Sequence, residues 1–330
     1  MSIIAVPYGT YERERPGGAT VGSTINRLLA GDELEAGLRR LYHEGIRHVL
    51  LGVPEDVGIR SNFGRPGAEF AWNAFLTTFL NKQHNGFLDL SSLGLLGAVD
   101  VTQVQTTTGR PEELRPTVAI LDDIILQNLL PILAVELLPI VIGGGHNNAL
   151  PIIRSFRKPV GVINIDAHTD FRPLEGRHSG NPFSYAAHES RLSQYALIGA
   201  DAQAIGAGVL ETLDTMHWHA ISRQQLRRLE QPGRTALYRQ MRAWMRTEHP
   251  IGLEIDLDVI AHAPSSASSP VGLDFDEVIR ILHEAVPWHQ VAYVHLAEAS
   301  PPIAADGARI VGNLLSELVC EIVSLLPKRV

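Results

Sequence analysis

With one cysteine among 330 residues, Cys320, the chain cannot close an internal disulfide, and a reducing compartment follows as the expectation. Its surroundings, "LLSELVCEIVSLL", have the apolar pattern of a buried helical thiol rather than a reactive one. Charge is also sparse: 19% of residues carry it, and the formal balance is -8. No basic run is long enough to reverse that sign, which argues against nonspecific nucleic-acid or anionic-membrane binding and leaves small ligands open. No apolar segment reads as reaching the roughly 20 residues that span a bilayer. The opening "MSIIAVPYGTYERERPGG" turns charged before a signal-like apolar stretch develops. The expectation is a cytoplasmic protein with neither membrane nor nucleic acid as partner. Against these deficits stands a hydrophobic content of 45%, enough for a large core and unlike the composition of disordered chains.

Short apolar runs alternate with segments of helical period, which predicts β-α-β winding about a mostly parallel sheet. The predicted strands are "HVLLGV" (48–53), "PIVIGGG" (139–145), "VGVINID" (160–166), "YALIGA" (195–200), "IGLEIDLD" (251–258) and "VAYVHLAEA" (291–299). Leu34, Leu38 and Leu41 recur at helical spacing, as do Val118, Leu121, Ile125 and Leu129, then Val278, Ile281 and Leu282; a last helix is predicted over 308–326. Pro131 should end or kink its helix, because it has no N–H to donate. Without an internal repeat or a tether, and with "PSSASSP" (264–270) reading as a tight loop, residues 1–330 are expected to form a single α/β domain.

Polar residues gather at the downstream ends of the apolar runs: His146, Asp166, Asp256, Asp258 and Glu298. In open parallel sheets that edge is where ligands bind, so groups distant in sequence should converge there. Period-2 alternation would aim Asp166, His168 and Asp170 at one point and set Asp256 beside Asp258. Such crowded carboxylates repel one another and resist desolvation, whereas two divalent cations would balance four of them. Imidazoles among carboxylates suit Mn²⁺ better than a thiolate-seeking ion. Six ligands for two metals require bridging carboxylates, which set the ions about 3.5–4 Å apart and allow them to activate water. "IGGGHNN" also suggests a dinucleotide turn, but Asn148 stands where a third glycine belongs and no acidic residue follows at the required distance.

Together, "LLGVPEDVGIRSNFGRPGAEFAWNAF", "GGGH", "DAHTD", "DLD" and "VHLAEASPP" resemble the ureohydrolase family of binuclear manganese enzymes, which includes arginase, agmatinase and formimidoylglutamase. The resemblance implies a three-layer α/β/α arginase-like fold and two Mn²⁺ ions on His146, Asp166, His168, Asp170, Asp256 and Asp258. It implies hydroxide attack on an amidine or guanidine carbon, with Glu298 holding the cationic nitrogens of the substrate, and a trimer or hexamer. "HSGNPFSY" (178–185), with Asn181, and "GIRSNFGRPGA" (58–68) resemble formimidoylglutamases in particular, and Phe183 stands where arginases have a proton-shuttling His. Arg172 occupies the place of an arginase Asn, and a guanidinium there favours a substrate with an acidic side. Arg60, Asn62 and Arg65 are further candidates for that carboxylate.

The implied reaction is hydrolysis of N-formimidoyl-L-glutamate to glutamate and formamide, with Asp170 as the proton-transfer candidate. A guanidino-acid hydrolase, agmatinase or arginase is the alternative, and a noncatalytic binding protein on this fold is the alternative of another class. The family's Asp-Pro after D-x-D is replaced by Ala261 and His262, so the 259–273 loop should differ in shape. His178, His188, His217, His219, His283, His289 and His295 show no ligand spacing and are read as structural.

Overall fold

Every strand of the computed structural model, which describes residues 3–13, 18–245 and 248–327, joins a single ten-stranded sheet. The strands are β1 (Ile3–Ile4), β2 (Asn26–Arg27), β3 (His48–Gly52), β4 (Leu93–Val99), β5 (Leu138–Ile142), β6 (Val160–Ile165), β7 (Leu192–Ala200), β8 (His219–Ser222), β9 (Ile251–Asp256) and β10 (Val291–Ala297). Their order is β1-β4-β3-β5-β10-β9-β6-β7-β8, with β2 beside β4. Only β1 runs antiparallel to its neighbour.

The six predicted strands are all present, each ending before the polar residues at its downstream end or on the first of them. Alternate residues feed two apolar layers. Leu50, Ile140, Ile163, Leu253 and Leu296 belong to one, whereas Val49, Val141, Val162, Leu197 and Tyr293 belong to the other. Both faces are therefore covered by helices, as a parallel sheet requires, and the three-layer α/β/α arrangement is observed.

Strand β4 was not foreseen. Its sequence, "LGLLGAV", has one β-branched residue and two glycines, and so lacks the usual strand signature. Gly97 explains part of this: its φ is 124°, and a Cβ would lie 2.1 Å from the Ile4 carbonyl oxygen of β1. A side chain there would expel the edge strand.

Two expectations about the long helix need correction. It runs Pro111–Ala134, so Pro131 does not end it; the proline lies in the last turn, where its missing N–H forfeits a single bond. By length and composition this helix is also apolar enough to cross a membrane. Its buried stripe, Leu114, Val118, Leu121, Ile125, Leu129 and Ile132, nevertheless packs into the protein, and Asp122 on that side is paired with Arg177 at 2.7 Å. Cys320 lies within the helix Gly307–Leu325, packed against the core, and burial pushes its thiol up to about 11.

Candidate metal centre

The four strands at the middle of the sheet, β5, β10, β9 and β6, deliver the polar cluster at their carboxyl ends. His146 follows β5 through a glycine turn with positive φ at Gly143 and Gly144. That turn wraps around the buried carboxylate of Glu55, which accepts from the Gly145 N–H at 2.8 Å and from the amides of Asn147 and Asn148 at 3.2 and 3.0 Å. A Cβ on Gly144 would lie 2.7 Å from the Glu55 oxygen, so glycine is required for the closure. Glu55 lies within the stretch "LLGVPEDVGIR" but was assigned no role there.

Strand β6 stops at Ile165, and the backbone then leaves the sheet, reaching a left-handed φ of 49° at Asp170. The alternation expected for Asp166, His168 and Asp170 therefore fails, and the side chains diverge into two groups. In the first, His146 Nδ1 faces Asp170 at 2.9 Å and both Asp166 and Asp256 at 3.4 Å. In the second, His168 Nδ1 lies 2.8 Å from Asp258 and 3.7 Å from Asp166. Asp166 belongs to both. Its oxygens are fixed by the His168 N–H at 2.7 Å and the Asn164 amide at 2.9 Å. Asp258 follows Asp256 around a 3-10 turn rather than along the strand, donating its N–H to the Asp256 carboxylate at 2.8 Å.

Donor chemistry tests whether these groups suit metal ions. Both ring nitrogens of His146 and one oxygen of Asp258 are buried without a hydrogen-bond partner, although carboxylate oxygens crowd the ring. Atoms this close but misaligned for hydrogen bonding are arranged as ligands around a point. The six residues form two sets whose donor atoms lie within 4.8 Å of one another, with Asp166 in common. Their donor chemistry fits divalent cations, with Asp166 common to the two sets.

Electrostatics agree, because without cations the cluster holds protons. Burial and the neighbouring Asp166 charge push Asp170 up to about 6. Burial, together with Asp258 and Asp166, raises Asp256 well above the usual carboxylate range, and burial raises Asp258. The Asp258 charge raises His168; for His146, burial opposes but the surrounding Asp166, Asp170, Asp256 and Glu254 prevail. Asp166 alone of the four aspartates is lowered: burial works against it, and its contacts with both histidines outweigh that.

Glu298 follows directly after β10 with a left-handed φ of 65° and is 4% exposed. It accepts from the His146 N–H at 2.7 Å and from the Ser266 hydroxyl. Burial pushes its carboxyl up to about 8, and among the described residues it pairs with no cation. Ser266 comes from the 259–273 loop, which bonds back to the sheet edge through Ser266 N–H to Glu298 O at 3.0 Å and Ser300 N–H to Pro264 O at 2.8 Å. The altered loop thus closes over Glu298. His262 is exposed, with a φ of 63°, and does not join the cluster.

The candidates for substrate contact divide. Arg172 is exposed two residues beyond Asp170, donates to Asn62, and pairs with no carboxylate among the described residues. Three candidates are used elsewhere. Arg60 is bound to Asp56 at 2.7 Å and to the carbonyls of Thr107 and Gln105. Arg65 donates to the Ser266 carbonyl at 2.9 Å and so braces the serine loop. Asn181 is fully buried: its oxygen accepts from Arg177 at 2.8 Å, and its amide donates to Gly176 O at 2.8 Å and Pro173 O at 3.1 Å. Its conformation-setting role leaves no group for a ligand. Phe183 presents its ring edge-on to His146, with centroids 5.3 Å apart.

Two more groups were missed. Glu254 and His295 sit behind His146, and His295, read as structural, lies with its ring centroid 5.8 Å from that of His146.

A model of the arginase family matches residues 46–323, a span that contains every residue of both ligand groups. The chain belongs to the arginase family. A formimidoylglutamase of Salmonella arizonae is 28% identical over 298 residues, covering 83% of this chain and 88% of that one. Among solved structures, a Trypanosoma cruzi formiminoglutamase with Mn²⁺ superposes with a TM-score of 0.68 at 23% identity, covering 94% of this chain and 100% of the other. Proclavaminate amidino hydrolase of Streptomyces clavuligerus gives 0.71 at 22% identity, over 86% and 93% of the two chains. At these identities the structural matches establish the shared fold.

Proposed function

We propose that this protein hydrolyses N-formimidoyl-L-glutamate to L-glutamate and formamide at a pair of manganese ions. The observation that carries the reading is the junction of two imidazole-carboxylate groups through Asp166, with the unpaired buried Glu298 beside them. The sequence relative from Salmonella arizonae named formimidoylglutamase and the Mn²⁺ in the Trypanosoma cruzi structure support the choice of substrate and metal.

His146, Asp166, Asp170 and Asp256 would hold one ion, and Asp166, His168 and Asp258 the other. When bound, such a pair supplies Lewis acidity and a hydroxide nucleophile at neutral pH. The chain's own groups do the rest. Glu298, fixed by His146 N–H and the Ser266 hydroxyl, gives up its proton as the cationic formimino group enters and meets those nitrogens with its negative charge. This orients the carbon towards the ligand cluster and adds attraction as positive charge concentrates on the departing nitrogen. Asp170, with 12% of its side chain exposed at the open side of the cluster, is assigned proton transfer to the leaving amine. Arg172, steadied by Asn62, meets a substrate carboxylate with its free guanidinium edge.

Assay of a panel of formimino and guanidino acids with added Mn²⁺, scoring formamide, ammonia and urea, tests this reading. Formamide from formimidoylglutamate is the expected product. Urea from a guanidino acid, the outcome in keeping with the amidino hydrolase likeness, would move the chain to the other branch of amidine chemistry. No turnover on the entire panel, with two Mn²⁺ bound, would favour a binding role. The oligomer proposed is a trimer or hexamer, and sedimentation equilibrium checks it.

A further inference from the structure

Behind the ligand groups lies a second buried cluster that the reaction above does not use. In the β9-β10 pair, Glu254 stands opposite His295, and Gly252 opposite Tyr293. All four side-chain positions point to the same side of the sheet, because the pleat repeats every second residue. Gly252 makes room: a Cβ there would lie 2.3 Å from the Tyr293 oxygen. The freed space lets the Tyr293 hydroxyl donate to Glu254 Oε1 at 2.7 Å, while His295 Nδ1 lies 2.6 Å from Oε2. Glu254, Tyr293 and His295 are all 0% exposed. The same Oε2 faces His146 Nε2 at 3.3 Å, on the side of the ring opposite the aspartates.

A neutral imidazole has one lone pair and one N–H, and which nitrogen carries the proton is set by what the other faces. His146 Nδ1 faces three aspartates at the proposed metal position. Among the described residues the charged group nearest Nε2 is the carboxylate of Glu254, 3.3 Å away though not aligned as a hydrogen bond, and its own two donors hold it in place. We propose that Glu254 is a positioning residue that keeps the proton of His146 on Nε2 and so presents Nδ1 as a lone pair to the cation. Tyr293 and His295 serve by orienting Glu254. Both Glu254 oxygens already accept hydrogen bonds, so the trio is built to hold a carboxylate rather than a further ion. This inference rests on the metal reading of the site above and extends it by one layer.

The test is Glu254→Gln, which preserves shape and removes charge. Calorimetric titration of metal-free protein with Mn²⁺ and electron paramagnetic resonance at two equivalents provide readouts independent of turnover. Wild type should bind two ions and give the signal of a coupled pair. Glu254→Gln should weaken one ion by about 10–100-fold, leave the other unchanged, and convert the coupled signal to that of isolated Mn²⁺. Glu254→Asp should restore part of the loss. Tyr293→Phe, a smaller perturbation, should weaken the same ion in the same direction, and it carries the test if Glu254→Gln does not fold. Two ions held as in wild type by the variant that folds would overturn the proposal, as would equal weakening of both. So would a third ion in wild type that disappears with Glu254. Failure of wild type to bind Mn²⁺ at all would instead remove the metal reading beneath it.

Discussion

Replacing Glu298 by Gln separates substrate recognition from metal binding more cleanly than any ligand substitution. Glu298 belongs to neither candidate ligand group; it touches them through the His146 N–H, and its other oxygen is held by the Ser266 hydroxyl of the 259–273 loop. Gln is nearly isosteric, and its oxygen can keep one of those bonds, but it offers no charge to an amidinium. A hydrogen bond to a charged group contributes about 1.5–3 kcal/mol. Loss of the charge at a buried carboxylate should therefore cost about 3 kcal/mol of transition-state stabilisation, or on the order of 100-fold in kcat/KM. Steady-state kinetics with formimidoylglutamate, alongside metal content by mass spectrometry, measures both quantities. Two bound Mn²⁺ with this loss of rate is the expected result. Undiminished kcat/KM would refute the assignment of Glu298 to the cationic nitrogens, and loss of metal in step with rate would show that it belongs to the centre itself.

Asp258→Asn should abolish turnover and release one of the two ions, because it removes the carboxylate 2.8 Å from His168; full turnover would contradict the scheme. Arg172→Ala should raise KM for formimidoylglutamate by about tenfold with little change in kcat, since it removes an ion pair formed equally in ground and transition states. Metal-free protein should lose stability as pH rises from about 5 to 8. Folded-state values for Glu298 at about 8 and Asp170 at about 6 exceed those of the unfolded chain, so the folded state binds more protons in that window and stability falls as they leave. The raised His146 and His168 act in the same sense, their stabilisation being complete below the unfolded histidine value and lost on titrating upward. Thermal midpoints of chelated protein at each pH check this, and saturating Mn²⁺ should flatten the dependence.

Motifs at the ends of apolar runs made all six ligand candidates legible, because a parallel sheet must deliver such residues to one edge. Glu55, Glu254 and His295 were not legible, since each acts through a partner far away in sequence: Gly145 lies 90 residues from Glu55, and His295 lies 41 from Glu254. Arg60, Arg65 and Asn181 were misplaced for the converse reason. Their residue types suit a substrate carboxylate, but their donors are spent on Asp56, on the 259–273 loop and on the Arg177 network.

By itself, the order of residues determined the winding of the sheet and the inventory of candidate ligands, both of which follow from local periodicity and from the cost of placing charge at the end of an apolar strand. Only the tertiary structure decided how those ligands divide. The left-handed turn at Asp170 and the 3-10 turn at Asp258 break the strand alternation. They send His168 and Asp170 to different groups, and likewise Asp256 and Asp258, and leave Asp166 to join them. Backbone direction past a strand end depends on contacts with distant segments, and no period in the sequence encodes those.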